Sequence, residues 1–216
     1  MQYAFTSDWF SGNIPSWKDK LGGLAGQPNL HAVEIGSYEG RSAVWLLENI
    51  LTAPDSRLTC IDKFEMDDEF HEIVDRMKLA IPQHADIEGV FDANIRATGA
   101  EKKVRKLKGR SVEMLRNLPL DSYDLIYIDG SHTARNVLTD AVLCWDLLKI
   151  NGIMIFDDYR WNVFTEDVLK SPQPAIDAFM HCFDGEFVLI ERDYQIMLRK
   201  TKNVRDVVRS LSGPDT

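Results

Sequence analysis

The chain has 216 residues, of which 44% are hydrophobic and 27% are charged, which suggests one globular domain with a sizeable core. Its 34 acidic and 25 basic residues give a formal net charge of −9, so there is no basic surplus to neutralise nucleic acid phosphates. No apolar run approaches membrane-spanning length, and we therefore expect neither a nucleic acid partner nor a membrane partner.

Residues 1–29 form a lead-in to the first strand. Apolar side chains at helical spacing after Pro15 predict a short amphipathic helix, because proline suits the first helical turn. Glycines at positions 22, 23 and 26 then break the helix. Two roles stay open for this segment, a helical cover over a ligand pocket and simple packing against the sheet edge.

A glycine-bearing turn follows the apolar strand predicted over residues 30–35. The turn spans Gly36 to Gly40, and a helix with regularly spaced apolar residues begins at about Arg41. A strand, a glycine turn and a helix start present free backbone N–H groups to a nucleotide-like ligand. One glycine permits a turn at positive φ, and the other permits close approach of the ligand. The dinucleotide fingerprint G-x-G-x-x-G is absent, since Ser37 stands where its second glycine would be.

The pattern E-x-G-x-x-x-G, from Glu34 to Gly40, resembles motif I of the class I S-adenosylmethionine-dependent methyltransferases. In that family the turn cradles the methionine part of the cofactor. The resemblance implies that Glu34, Gly36, Ser37 and Gly40 bind the cofactor. A side chain at Gly36 is expected to block this turn while the chain still folds. The alternative is an ordinary strand-to-helix turn.

Asp62 ends the second predicted strand, Arg57 to Ile61. A carboxylate at this position can accept hydrogen bonds from both hydroxyls of a ribose, which favours a cofactor role over a solvated strand-end acid.

Residues 64–100 replace the short link expected before the third strand. Helices are predicted within residues 64–80 and 86–99, and an insertion of this length beside a ligand edge suggests a lid or a substrate wall. The third strand is predicted over residues 104–108. By the family resemblance, Arg110 and Ser111 in the turn that follows lie on the adenine side of the cofactor. The alternative is that Ser111 only caps the next helix.

The remaining pattern predicts a parallel crossover and then a hairpin. A strand over residues 123–128 ends at Asp129, and a helix over residues 134–149 closes at Asn151-Gly152. A strand over residues 153–156 follows, and strands over 186–191 and 194–199 pair antiparallel. The resemblance thus covers residues 30–200 and implies an α/β, Rossmann-like class I methyltransferase fold. Its sheet would be mostly parallel and seven-stranded, with an antiparallel C-terminal hairpin, and residues 201–216 would form a tail.

Three carboxylates, those of Asp129, Asp157 and Asp158, follow the fourth and fifth strands. In this fold those strands are neighbours, about 4.8 Å apart, so the carboxylates would converge. A hard divalent cation such as Mg²⁺ would relieve their repulsion. The segments Asp129-Gly130-Ser131-His132 and Asp157-Asp158-Tyr159 resemble the class I group known as methyltransferase domain 24. They are also similar to the metal ligands of the catechol and macrolide-sugar O-methyltransferases, which implies that Asp129, Asp157 and Asp158 bind the metal. The catechol enzymes have asparagine where this chain has Asp158.

His132 lies three residues beyond Asp129 on the same loop. A histidine there can take a proton from an acceptor hydroxyl near neutral pH, or it can be a fourth metal ligand. A structural hydrogen bond at the start of the helix is the third alternative.

Together these features predict an S-adenosylmethionine-dependent O-methyltransferase that uses Mg²⁺ and acts on a small-molecule hydroxyl, of a sugar or a phenol. Asp129 and His132 are its predicted catalytic residues, and Asp129 is also predicted to bind the cofactor. A metal-free methyltransferase with His132 as base, a nicotinamide-dependent oxidoreductase and a non-catalytic binding module stay as alternatives. The chain is expected to be cytoplasmic, with Cys60, Cys144 and Cys182 as reduced, buried thiols, and a homo-oligomer stays open.

Overall fold

A computed structural model describes residues 3–81 and 86–204. These residues form one seven-stranded sheet, with strands β1 (His31–Ile35), β2 (Arg57–Asp62), β3 (Val104–Lys108), β4 (Tyr123–Ile128), β5 (Leu148–Phe156), β6 (Phe187–Arg192) and β7 (Ile196–Lys200). The α-helices are α1 (Ile14–Leu21), α2 (Arg41–Asn49), α3 (Asp68–Met77), α4 (Ile87–Ala97), α5 (Ser111–Leu115), α6 (Ala134–Leu147) and α7 (Gln173–Cys182). Most of the predicted tail, residues 205–216, lies outside the described residues.

The strand order is β3-β2-β1-β4-β5-β7-β6. Strands β1 to β5 pair in parallel, whereas β7 pairs antiparallel with both β5 and β6. The predicted fold class is therefore confirmed, including the neighbouring positions of β1, β4 and β5. The carboxyl ends of these three strands meet at one edge of the sheet, which is where ligands bind in open α/β sheets.

Helices cover both faces of the sheet, because successive strand residues point to opposite faces. On one face, α1, α2 and α4 pack through a core that includes Trp17, Trp45 and Phe91. On the other face, α5, α6 and α7 pack through a core that includes Trp145 and Phe179. Within the described part of the chain, no helix has the length and apolar character needed to cross a bilayer.

Two details of the sequence prediction are wrong. Helix α6 ends at Leu147 rather than at residue 149, and Asn151-Gly152 lies inside β5, where Asn151 adopts a φ of 69°. The buried Lys200 ammonium explains the early stop, because it donates to the carbonyls of Trp145 at 2.7 Å and of Leu148 at 2.8 Å. Cys182, expected to be buried, is exposed at the last position of α7.

Candidate functional site

The glycine turn joins β1 to α2 and is fixed by the neighbouring strands. Gly36 donates its N–H to the carbonyl of Ile61 at 2.9 Å, and Asp129 donates to the carbonyl of Ile35 at 2.9 Å. Gly36 has a φ of +83°, and a Cβ atom there would stand 1.8 Å from the Asp129 carbonyl oxygen. A side chain at Gly36 therefore collides with backbone, so such a variant is expected to lose stability as well as to block the turn.

Gly40 also faces protein atoms. It too has a φ of +83°, and a Cβ atom would stand 2.9 Å from the ring of Phe91 on α4. Gly40 directly precedes α2, so the same residue ends the turn and lets the inserted helix α4 pack closely against it.

Hydrogen bonds to the buried side chain of Glu39 connect the N-terminal segment to this turn. Thr6 donates its backbone N–H at 2.7 Å and its hydroxyl at 2.6 Å to the two carboxylate oxygens of Glu39. Asn94 on α4 donates to the Glu39 carbonyl at 2.9 Å and accepts from the N–H of Ala4 at 2.8 Å. The lead-in, the glycine turn and the insertion therefore share one hydrogen-bonded unit.

Glu34 is fully buried at the end of β1. Burial raises its pKa to about 6, although Ser37, Ser42 and Cys60 nearby act in the opposite direction. Neither Glu34 Oε1 nor Ser37 Oγ makes a hydrogen bond of good geometry within the described chain. Unpaired buried polar atoms are costly, so this pair fits a ligand that brings its own polar groups, as the methionine end of S-adenosylmethionine does.

Asp62, at the end of β2, stabilises the turn through hydrogen bonds. Its carboxylate accepts from the N–H of Tyr38 at 2.8 Å and from the N–H of Phe64 at 2.6 Å, and burial raises its pKa. Each oxygen keeps acceptor capacity, so the predicted contact with ribose hydroxyls is compatible with the geometry and stays a prediction.

Arg110 and Ser111 lie where α5 begins, beyond the end of β3. Arg110 occupies the N-cap position and is exposed, and α5 receives no side-chain cap. Ser111 instead lies near the carboxylate of Asp140 on α6 and acts to lower the pKa of Asp140, but burial outweighs it and raises that pKa to about 6. The alternative role of Ser111 as a helix cap is therefore wrong, and its place on the adenine side stays a prediction.

The three carboxylates lie together at the ends of β4 and β5, as the strand order predicts. The buried Tyr127 hydroxyl lies 2.8 Å from Asp129 Oδ2 and also contacts Asp157 Oδ2. Burial, and then the charges of Asp157 and Asp158, raise the pKa of Asp129 well above its ordinary value. Burial and Asp158 raise the pKa of Asp157 to about 6.

The contacts of these carboxylates decide how well they suit a metal ion. Asp157 Oδ2 accepts from Tyr127, from Gln195 at 3.0 Å and from Asn13 at 3.3 Å, so its lone pairs are already taken. Across residues 3–81 and 86–204, no three histidine, cysteine or acidic side chains are placed to hold a metal ion. The donors on Asp157 Oδ2 therefore compete with a metal ion for this oxygen, and the assignment of Asp129, Asp157 and Asp158 as magnesium ligands stays a prediction.

His132 is held on both sides by carboxylates. Its Nε2 lies 2.9 Å from Asp158 Oδ2, and Tyr194 donates its hydroxyl to Asp158 Oδ1 at 2.5 Å. Glu69 on α3 accepts from the His132 backbone N–H at 2.6 Å and lies 3.9 Å from Nδ1. Burial alone would lower the pKa of His132, but hydrogen bonding and charge from Asp158, with Glu69, raise it.

The groups that position these acids and the histidine carry no distinct signal in the sequence. Tyr127 reads as a strand core residue, and Glu69 as one acid among many on an amphipathic helix. Gln195 and Tyr194 precede β7 and reach the site only because β7 pairs beside β5. Only the strand order could have revealed that Gln195 and Tyr194 reach the site.

Comparison with known proteins bears on the family and the fold. The model of the methyltransferase domain 24 family, described as a methyltransferase domain, matches residues 33–159. No curated protein matches the sequence.

Several solved structures share the fold. The O-methyltransferase NovP has a TM-score of 0.62 at 22% identity, covering 88% of this chain and 79% of that chain. Methyltransferase PaMTH1 of Podospora anserina, bound to S-adenosylhomocysteine, has a TM-score of 0.60 at 17% identity, covering 91% and 80%. O-methyltransferase TomG of Streptomyces achromogenes, in complex with S-adenosylmethionine, has a TM-score of 0.58 at 14% identity, covering 80% and 73%.

The family model covers more than half of the chain, and the strand order and glycine turn agree with it. The chain therefore belongs to the methyltransferase domain family and is a class I S-adenosylmethionine-dependent methyltransferase.

Proposed function

We propose that the protein transfers the methyl group of S-adenosylmethionine to a hydroxyl oxygen of a small molecule, with His132 as the general base. The observation that carries this proposal is the Asp158–His132 contact of 2.9 Å at the carboxyl edge of β4. NovP and TomG, which share the fold, are both O-methyltransferases. The net charge of −9 supports a small-molecule acceptor over a nucleic acid.

The cofactor would be held by the residues that line the edge of β1, β2, β3 and β4: Glu34, Gly36, Ser37, Gly40, Asp62, Arg110, Ser111 and Asp129. When bound, it supplies a methyl group on a positively charged sulfur, ready for displacement. The unpaired Glu34 Oε1 and Ser37 Oγ support this placement, because a bound ligand would satisfy both.

The chain's own residues would carry the proton. Asp158 accepts from His132 Nε2–H, which leaves the Nδ1 lone pair to take the proton of the acceptor hydroxyl. Tyr194 and Glu69 hold the carboxylate and the backbone in position, so the imidazole does not need to reorient during the reaction.

Magnesium dependence, predicted from the sequence, is the second candidate. The shared contact of Asp129 and Asp157 with Tyr127, and the hydrogen bond from the Asp158 N–H to Asp157, favour it because they keep the three residues together. The donors already bound to Asp157 favour the metal-free version. Methyl transfer from labelled cofactor to a panel of sugars and phenols, with EDTA or with Mg²⁺, separates the two. Equal rates in both buffers support His132 alone, and a rate that requires Mg²⁺ supports the metal site.

Calorimetric titration of S-adenosylhomocysteine tests the cofactor assignment. We expect micromolar binding, and at least roughly tenfold weaker binding to Asp62→Asn, since a lost charge-assisted hydrogen bond costs about 1.5–3 kcal/mol. Asp19→Asn, at an exposed acid of α1, is the matched control and should bind like the wild type. Absence of binding to the wild type would contradict the proposal.

A further inference from the structure

A cavity of about 220 Å³ opens beside His132, between α3 and the segment that follows β5. Ile73 and Phe164 supply its apolar wall, and Glu69, Glu72 and Lys170 are among its polar lining residues. Pockets for drug-sized ligands start at about 300 Å³. The volume therefore suits a compact molecule with a single ring, whose hydroxyl would reach the histidine.

The walls of this cavity are tied to each other. Ile73, Trp161 and Phe164 form a separate small apolar cluster. The centroid of the Trp161 ring lies 4.3 Å from the centroid of the His132 ring. Lys170 pairs with Glu72 at 2.5 Å, and Arg76 pairs with Glu166. These contacts hold helix α3 and the segment after β5 at a fixed distance from each other, so the cavity between them has a defined shape.

The charges that line the cavity are mostly negative. Asp68, Glu69 and Glu72 from α3 face a single lysine, Lys170, which is already paired with Glu72. Glu69 accepts its hydrogen bonds from Ser131 and from the His132 backbone, which are neutral donors. The lining therefore carries a formal surplus of negative charge next to the reacting group, and a carboxylate or phosphate on the acceptor would be repelled.

The contacts of the Lys170 ammonium show that the wall of the cavity formed by Phe164 and Glu72 accommodates a cation. Its Nζ lies 4.9 Å from the centre of the Phe164 ring and 2.5 Å from Glu72 Oε1. An aromatic face beside a carboxylate is the combination that recognises an ammonium group.

We infer that the acceptor is a compact hydroxylated amine, a single-ring molecule that carries an ammonium group and the hydroxyl to be methylated. This inference rests on the proposed function and adds the charge and size of its substrate. The ammonium would lie toward Asp68 and Glu69, with the ring against Ile73 and Phe164.

Two sets of probes with constant shape and different charge test the inference. Dopamine, hydroxytyrosol and 3,4-dihydroxyphenylacetate form one set, and glucosamine, glucose and glucuronate form the other. Binding to the full-length protein saturated with S-adenosylhomocysteine is measured by saturation-transfer NMR. In at least one set, the cation should bind roughly two- to fivefold more tightly than the neutral molecule, and the anion should bind most weakly.

Variants of opposite sign separate charge from folding defects. Asp68→Asn should reduce the preference for the cation by about twofold, and Lys170→Met should increase it by a similar factor. Asp184→Asn, at an exposed acid after the far end of α7, removes the same charge and should leave the preference unchanged. A general loss of structure cannot move the two cavity variants in opposite directions.

Three results would overturn the inference: an anion that binds as tightly as the cation, a neutral probe that binds best, or no binding by any probe. The failure of S-adenosylhomocysteine itself to bind is a different outcome, which would overturn the proposed function and the inference with it.

Discussion

Replacement of Gly36 by alanine tests whether this glycine is required by the fold, independently of any ligand. The added Cβ would lie 1.8 Å from the Asp129 carbonyl oxygen, so the backbone on one side must move. The left-handed conformation costs a non-glycine residue about 1–2 kcal/mol. Weakening the two adjacent backbone hydrogen bonds, Gly36 to Ile61 and Asp129 to Ile35, adds about 1–3 kcal/mol. The expected loss, about 2–5 kcal/mol, is a large part of the stability of a typical domain.

Gly99→Ala is the matched control. Gly99 has a φ of +71°, but nothing lies within 4 Å of its Cβ position, so only the conformational cost applies. Urea denaturation followed by circular dichroism gives the free energy of unfolding for both variants. If Gly36→Ala loses no more stability than Gly99→Ala, the close approach of the Asp129 backbone is not what requires glycine here.

Three further predictions concern buried or reactive groups. Asp140→Asn should stabilise the protein at pH 8 by about 3 kcal/mol, the free-energy equivalent of a pKa raised from 3.8 to about 6. The folded state holds the proton of the Asp140 carboxyl more tightly than the unfolded state does. The extra stability of the variant should therefore grow between about pH 4 and 6 and be absent below about pH 4. Urea denaturation at several pH values measures it. Lys200→Met should lower the free energy of unfolding by about 2–5 kcal/mol, because the carbonyls of Trp145 and Leu148 lose their donor. Urea denaturation measures this loss, and the affinity for S-adenosylhomocysteine should stay unchanged. His132→Ala should reduce initial rates of methyl transfer by about 100- to 10,000-fold while cofactor affinity stays unchanged, and a rate within threefold of the wild type would contradict its role as base.

The fold could be predicted from the sequence because its signals are local. Strand β4 was predicted with its observed bounds, since a run of apolar and aromatic residues from Tyr123 to Ile128 ends abruptly at polar Asp129. The meeting of Asp129 with Asp157 followed from strand order, which the family resemblance supplied.

The details that failed depend on contacts between distant residues. The end of α6 is set by Lys200, which lies more than fifty positions along the chain, so the local glycine signal at Gly152 was misleading. Glu69 reaches His132 only because α3 folds back over the β4 edge. Periodicity predicts a helix but does not say which of its acids will face the site.

The hydrogen bonds between Thr6 and Glu39 make residues 4–7 part of the glycine turn. Pulling residues 4–7 away would leave a buried carboxylate without its donors, at a cost of about 1–3 kcal/mol or more. The amides of Thr6 and Gly40 should therefore exchange with deuterium in one cooperative opening event, and bound S-adenosylhomocysteine should slow both. Exchange at the amide of Thr6 would thus report the opening of the glycine turn.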